Sequence, residues 1–169
     1  LDIRNENIEL GVRGGRPEDW PDYHSALVAV EIIEAVASAA YLERHGTPET
    51  VSELVQHKLI HLEEPFRSAC DWQHWFQSAS VDAGKAHRGL AINDYVLVIQ
   101  AVMEGQGVAL SWHHLTGRLV ASGLLRKVTS HRLETGAAFY VIWPRGRPLS
   151  SQTELVLNWL TQQGQAVSE

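Results

Sequence analysis

Histidine and cysteine are the residues of this sequence most able to do metal or nucleophilic chemistry. His57 and His61 are four residues apart and His113 and His114 are adjacent, so each pair invites comparison with metal-ligand spacing. Residues 58–62 are typical of a strand, however, so His57 and His61 do not form the i, i+4 pair of a helix. Adjacent residues on a strand point to opposite faces. We therefore expect no metal site and no cofactor.

The single cysteine, Cys70, is a second candidate, because a thiolate beside a base can act as a nucleophile. It precedes a tryptophan-rich segment without an evident orienting partner, which favours an ordinary thiol. One cysteine forms no internal disulfide, and this fits a reducing, cytoplasmic setting. The serine-hydrolase elbow, the zinc-protease motif and the phosphate loop do not occur in the sequence. The sequence predicts that the chain is not an enzyme.

The glycine pair Gly105 and Gly107 resembles part of a dinucleotide-binding fingerprint. That fingerprint follows a strand and opens a helix. Here the order is reversed, since a predicted helix at 94–104 precedes the glycines and a strand at 108–111 follows them. We interpret Gly105 as a helix end and predict no dinucleotide site.

Charge and hydropathy exclude two classes of partner. The chain has 14 basic and 20 acidic residues, a net charge of −6, and its Lys and Arg are scattered. A duplex attracts clustered positive charge, so we expect no direct nucleic-acid binding by this chain. No segment approaches the roughly 18 uninterrupted apolar residues of a membrane helix. We expect no membrane partner.

Strands and helices alternate along the sequence, which predicts parallel pairing in an open α/β sheet. Trp72 and Trp75 lie three residues apart on one helical face, and core packing is the favoured role for both. Helices are predicted at 38–45, from 47–50 onward, after an Asp71 cap, at 94–104 after an Asn93 cap, at 115–122 and at 151–163, the last packing through Leu155, Leu157, Trp159 and Leu160. Strands are predicted at 8–12, 26–36, 58–62, 88–92, 108–111, 124–128 (an edge strand) and 139–143.

A series of short segments, each weak alone, follows the order found in the LysR-type transcription regulators, and the resemblance covers essentially the whole chain. It looks closest to the glycine-cleavage-activator branch. Ala37 and Ala39 stand where the family usually has Cys and Pro. The segments that carry the resemblance are 1–15, 37–42, 59–62, 71–76, 93–95, 101–110, 123–125 and 140–144.

The resemblance implies an α/β fold like that of type II periplasmic binding proteins, with two Rossmann-like lobes joined by two crossover strands near 27–36 and 137–143. Residues 1–37 and 135–169 would form the first lobe, which lacks its N-terminal part, and residues 38–134 the second. The missing β-α-β-α portion is expected upstream of Leu1. A single sheet through all strands is not expected.

The same resemblance places a ligand between the lobes. Open α/β sheets bind ligands outside the carboxyl ends of their strands, where helix N-termini present N–H groups. For Asn93 two roles remain equally open, that of a helix cap and that of a ligand contact. Asp94 would repel an anion, so a neutral, zwitterionic or amine-bearing effector stays as open as an acid. With the Asn93 helix start as centre, the predicted ligand-binding residues are Arg13, Gly14, Ser38, Asn93, Asp94, Tyr95, Trp112 and His113.

The function implied is that of the effector-binding domain of a LysR-type regulator. A small molecule of unknown identity would shift lobe closure, which requires different affinities for the open and closed states. DNA would be bound only by a winged helix-turn-helix upstream, in a homo-oligomer that is a dimer or a tetramer at full length. The alternative is a solute-binding protein of a transport system, which shares the fold.

Overall fold

A computed structural model describes residues 8–63, 70–84 and 88–166. The chain divides into two compact units. Unit 1 contains both chain ends, Leu1–Glu31 and Glu134–Glu169, and unit 2 contains Ile32–Leu133. The first part of the segment from 1 to 15 that carries the family resemblance, residues 1–7, lies outside the described residues.

Six strands and five α-helices are found in the described part of the chain. The strands are β1 (Gly11–Gly15), β2 (Tyr23–Ala37), β3 (Leu59–Leu62), β4 (Arg88–Ile92), β5 (Val108–Trp112) and β6 (Arg126–Pro144). The α-helices are α1 (Ala39–His45), α2 (Trp72–Ser78), α3 (Tyr95–Met103), α4 (His113–Ala121) and α5 (Ser151–Ala166), and Pro17–Asp19 and Val51–Gln56 are 3-10 helices. The helix predicted to open at 47–50 is therefore a 3-10 helix. Among the described helices, none combines the length and hydropathy that crossing a membrane requires.

The strands lie side by side in the order β1-β6-β2-β5-β3-β4. β3 runs parallel to β4 and β5, as predicted, whereas β2 is antiparallel to β5 and β1 to β6. The expectation that no single sheet joins all strands is wrong, because β2 and β6 have 15 and 19 residues and each contributes residues to both units. The strand predicted at 139–143 lies within β6, and the edge strand predicted at 124–128 overlaps the start of β6, outside the stretch Ala138–Ile142 that pairs with β1.

The core of unit 2 includes β5, all five residues of which are buried. Trp72, Trp75 and Phe76 of α2 are buried, which confirms core packing for the two tryptophans. Their indole nitrogens also donate hydrogen bonds, Trp72 to the Ile60 carbonyl at 2.9 Å and Trp75 to the Ile33 carbonyl at 3.2 Å. A second buried cluster joins α3 to the sheet and includes Val36, Ile60, Val98, Val102, Ala109 and Leu125.

Helix ends in unit 2 follow local rules. Asp71 caps α2, as predicted, by accepting a hydrogen bond from the His74 amide at 2.8 Å. Past the end of α3, Gly105 has a φ of +71°, which glycine adopts without strain. The Gly105 and Gln106 amides then donate back to the Val102 and Ala101 carbonyls. The helix end predicted at Gly105 is confirmed.

Unit 1 pairs β1 with β6 in a register that sets Gly11 opposite Ile142. Its helix α5 begins beside Glu9, whose carboxylate accepts hydrogen bonds from Ser150 and Thr153. These bonds lower the pKa of Glu9. Leu155 and Trp159 are 70% and 57% exposed, so the prediction that they pack is wrong. The partly buried side of α5 is instead the one that carries Thr153, Leu157, Leu160 and Thr161.

Candidate functional site

The carboxyl ends of two parallel strands, β3 and β5, border a hollow in unit 2. The hollow is shallow: its cavity volume is about 20 Å³, room for about one water molecule, and its 320 Å³ of empty space includes open solvent. Its walls combine two indoles with aliphatic and polar side chains, a composition typical of small-molecule sites. The lining residues are Ile60, His61, Leu62, Cys70, Asp71, Trp72, Val98, Leu110 and Trp112.

Trp112 is the predicted site residue that lines this hollow, and Tyr95 holds it in place. The two rings meet edge to face with centroids 5.0 Å apart. The Tyr95 hydroxyl accepts a hydrogen bond from the Trp112 amide at 3.2 Å. Burial raises the pKa of Tyr95 to about 12, so the phenol stays protonated at neutral pH. The start of α3 thereby fixes the end of β5.

The cap of α3 is Asp94 and not Asn93, which corrects the prediction by one residue. The Asp94 carboxylate accepts hydrogen bonds from the Val96 amide at 2.8 Å and the Leu97 amide at 3.1 Å. Both residue types cap well, but a carboxylate also gains from the helix dipole. The N–H groups that we expected to meet a ligand at this helix start are therefore occupied. Asn93 is exposed.

Ser38 is not brought together with Trp112. It caps α1, with its hydroxyl 3.4 Å from the Tyr41 amide, and it is 4% exposed. Because β2 is antiparallel to β5, with Ile33 opposite Trp112 and Val36 opposite Ala109, Ser38 lies toward the amino end of β5. The strand-end rule fails here because it assumes parallel strands.

The sequence predicted that Arg13 and Gly14 follow the first strand, whereas in the structure both lie within β1 of unit 1. They stand opposite Tyr140 and Phe139 of β6. The first strand was predicted at 8–12, but it begins at Gly11 and continues through Gly15. Their ligand role stays a prediction.

His113, the first residue of α4, contacts a buried carboxylate that sequence reasoning did not assign to the site. Its Nδ1 lies 3.0 Å from Glu34 Oε2, and Lys127 Nζ donates to Glu34 Oε1 at 2.7 Å. Burial by itself would raise the pKa of Glu34, but the hydrogen bonds and charges of Lys127 and His113 outweigh it, and the pKa is lowered. Glu34 is therefore ionised at neutral pH.

Two hydroxyls extend this cluster along the turn from β5 to α4. Ser111 Oγ donates to the Glu34 carbonyl at 3.4 Å. Thr116 Oγ1 lies 3.1 Å from Ser111 Oγ and 3.2 Å from the Trp112 carbonyl. The signal that could have revealed the cluster is Glu34 itself, since a carboxylate within an apolar strand needs partners.

The hollow also contains residues that the sequence analysis did not select, namely His61, Cys70, Asp71 and Trp72. His61 and Leu62 end β3, so the strand-end rule applied to that strand would have found them. Within the described residues, no group of three or more His, Cys, Asp or Glu side chains is arranged to hold a metal ion.

Similarity to known proteins covers nearly the whole chain. Residues 1–165 match the family model of the LysR substrate binding domain. The HTH-type transcriptional activator AmpR of Rhodobacter capsulatus is 25% identical over 163 residues, which cover 96% of this chain and 53% of that protein. The glycine cleavage system transcriptional activator of Escherichia coli K12 is 24% identical over 137 residues, 81% of this chain and 43% of that protein. The chain thus spans about half the length of the curated relatives it matches.

The same fold occurs in solved structures. The effector domain of the transcriptional regulator AmpR of Pseudomonas aeruginosa matches with a TM-score of 0.72 at 20% identity, covering 98% of this chain and 77% of that one. The predicted fold class, an α/β module like the type II periplasmic binding proteins, is confirmed.

Proposed function

The chain belongs to the LysR substrate-binding-domain family and is an effector-binding regulatory domain of that type, and from this premise we propose that it binds its effector beside Trp112. The observation that carries the proposal is that Trp112 ends β5, lines the hollow and is held by Tyr95. Ligands of open α/β sheets lie at this edge.

The proposed effector is a small molecule with an apolar or aromatic part and a donor or amine group. The apolar part would lie against the indoles of Trp72 and Trp112. Asp71, at the same hollow, offers the polar contact. Burial would raise its pKa, but hydrogen bonds from the His74 amide and ring outweigh it, and the lowered pKa keeps the carboxylate ionised. An ammonium group is attracted both by a carboxylate and by an indole face.

The predicted site residues take different places in this proposal. Trp112 contacts the effector, and Tyr95 and His113 hold the strand end and helix start beside it. Ser38 and Asp94 cap helices, while Asn93 remains a predicted ligand contact on its exposure alone. For unit 1, Arg13 and Gly14 also remain predicted contacts.

In the whole protein, we propose that effector binding regulates DNA binding by a winged helix-turn-helix that lies outside this chain. The net charge of −6 supports a chain that does not itself bind DNA. The whole protein of this proposal is a cytoplasmic homo-oligomer, a dimer or tetramer, without enzymatic activity; the two relatives named above are transcriptional activators, which supports its regulatory role. Nothing in the comparisons supports the transport alternative.

Cys70 allows a test before the effector is known, because the only cysteine of the chain lines the hollow. A library of fragment disulfides is equilibrated with the chain under a fixed excess of a small thiol, so that thiol–disulfide exchange selects fragments held by the hollow. We expect aromatic amines to be selected. Selected fragments also give thermal-shift leads as free compounds.

Two variants decide the outcome of this screen. Trp112→Leu should weaken labelling of Cys70 about tenfold, the equivalent of ~1.4 kcal/mol of lost contact. Trp159→Ala, which removes an exposed indole of unit 1, should leave labelling unchanged. If Trp112→Leu is folded and labels as well as the parent, the hollow is not the effector site.

A further inference from the structure

Buried polar side chains of the described residues gather at one place in unit 2. Of the four buried polar or charged residues of the described chain, Ser38 caps α1, whereas Ser111 and Thr116 lie at the turn from β5 to α4 and Glu34 lies beside that turn on β2. Burying such groups costs free energy unless each finds a partner. A polar cluster kept inside a domain therefore calls for an explanation beyond packing.

Glu34 joins three elements by using its two carboxylate oxygens separately. One oxygen binds His113, the first residue of α4, and the other binds Lys127 of β6, while Glu34 itself belongs to β2. An ionised carboxylate only accepts hydrogen bonds, so the His113 ring must donate from Nδ1. The Glu34 contact thus requires a hydrogen on Nδ1, which the neutral Nδ1–H tautomer and the doubly protonated ring both carry.

Glu34 lies one residue pair away from Trp112, the proposed effector contact, in the register of β2 and β5. Ser111 stands opposite Glu34 in the β2–β5 register, and Trp112 stands opposite Ile33. Thr116 hydrogen-bonds both the Ser111 hydroxyl and the Trp112 carbonyl. His113, which binds the Glu34 carboxylate, directly follows Trp112, so a displacement of Trp112 by a ligand would move it, since packed interiors transmit small shifts.

We propose that Glu34 is a positioning residue that transmits occupancy of the hollow from the Trp112–His113 turn to Lys127 on β6. The inference rests on the proposed effector site. Its partner Lys127 belongs to a strand that continues beyond unit 2 to Pro144, so β6 is an element through which a signal leaves the site. Coupling of this kind requires a continuous physical network, and the contacts of Glu34 supply one.

A purely stabilising ion pair would make a different prediction. It would hold β2, β6 and α4 together equally in the presence and absence of a ligand. The distinguishing measurement is therefore the response of Lys127 to occupancy, and not the stability of the domain. Glu34→Gln keeps the shape of the side chain and removes its charge.

The experiment uses a benzyl-thio group attached to Cys70 as the occupant of the hollow. Labelled and unlabelled chains are compared by nitrogen-15 NMR, following the Trp112 indole, the His113 ring nitrogens and the amide of Lys127. Glu34→Gln is the test variant. Glu31→Gln is the matched control, because it makes the same change three residues earlier on β2, where Glu31 accepts from Thr135.

In the parent and in Glu31→Gln, we expect the adduct to shift the signals of Trp112, His113 and Lys127. In Glu34→Gln, the Trp112 shift should remain and the Lys127 shift should be lost. Should Glu34→Gln not fold, Lys127→Gln provides the second variant, and there the His113 response should remain while the amide at position 127 no longer responds.

Three results would overturn the inference, and they are distinguishable. If the adduct shifts Trp112 but not Lys127 in the parent, the effector site stands and the transmission is wrong. If Lys127 still responds in Glu34→Gln, or the amide at position 127 still responds in Lys127→Gln, another route carries the signal. If even Trp112 does not respond, the proposed effector site fails, and the inference fails with it.

Discussion

Two junctions in unit 2 each take the chain from a strand into a helix, and they are built in different ways. At the β4–α3 junction, Asp94 caps the helix with its own carboxylate, and the contact spans three residues or fewer. At the β5–α4 junction, Trp112 is the cap residue and makes no side-chain cap hydrogen bond. Glu34 and Lys127, which stabilise that turn, lie 79 and 14 residues away from His113.

The difference separates a local structure from one that the fold assembles. A helix that is capped by its own residue can form wherever that segment is placed. The turn at Trp112 depends on β2 and β6 lying beside it, so it responds to changes in those strands. Such dependence suits a site whose occupancy must be transmitted, and the following predictions test the contrast.

The largest effect is expected for Trp112→Ala, at the assembled junction. Trp112 is 7% exposed, and truncating a buried tryptophan costs about 3–5 kcal/mol of unfolding free energy. Urea denaturation followed by far-UV circular dichroism measures the loss. Trp159→Ala is the control and should change stability by less than about 0.5 kcal/mol, because its side chain is exposed. Equal losses in the two variants would show that the junction is not packed as described.

A smaller effect with a defined pH dependence is expected for Glu34→Gln. Lys127 is 40% exposed and screened by solvent, so the loss at neutral pH should be about 1–2 kcal/mol. The pKa of Glu34 is lowered in the folded chain, so its contribution is present above the ordinary carboxyl pKa and disappears as pH falls through the folded value. Urea denaturation from neutral to acidic pH should therefore show the parent and variant converging in acid. A difference that persists in acid would contradict the charge-based origin.

The same contrast explains what the sequence could and could not predict. Features set by neighbours in the chain were found, such as the Asp71 cap and the helix end at Gly105. The cap at Asn93 was missed by one residue because Asn and Asp are both favoured there. Glu34 was not assigned to the site, since its partners come from distant segments that periodicity does not connect. The expected convergence of Ser38 with Trp112 was not found, because strand direction within the sheet cannot be read from alternation alone.

Asp94→Ala tests the local junction and should cost about 1 kcal/mol of unfolding free energy, the usual loss for a helix cap. The physical reason is that the Val96 and Leu97 amides lose their acceptor. Hydrogen exchange at these two amides should accelerate, while exchange in α4 stays the same. Asp94→Asn should recover most of the stability, and a failure to do so would mean that charge matters more than the cap.

The smallest effect on stability is expected for Asn93→Ala, and this makes it the clearest test of a ligand role. Asn93 is exposed and precedes the cap, so its removal should change the unfolding free energy by less than about 0.5 kcal/mol. A change in effector affinity in this variant therefore cannot come from loss of fold. With a fragment selected at Cys70, calorimetric titration of the free compound against the parent and Asn93→Ala gives the comparison. Weaker binding would place Asn93 at the effector, whereas equal binding would leave the effector site on the Trp112 side, at the junction that the fold assembles.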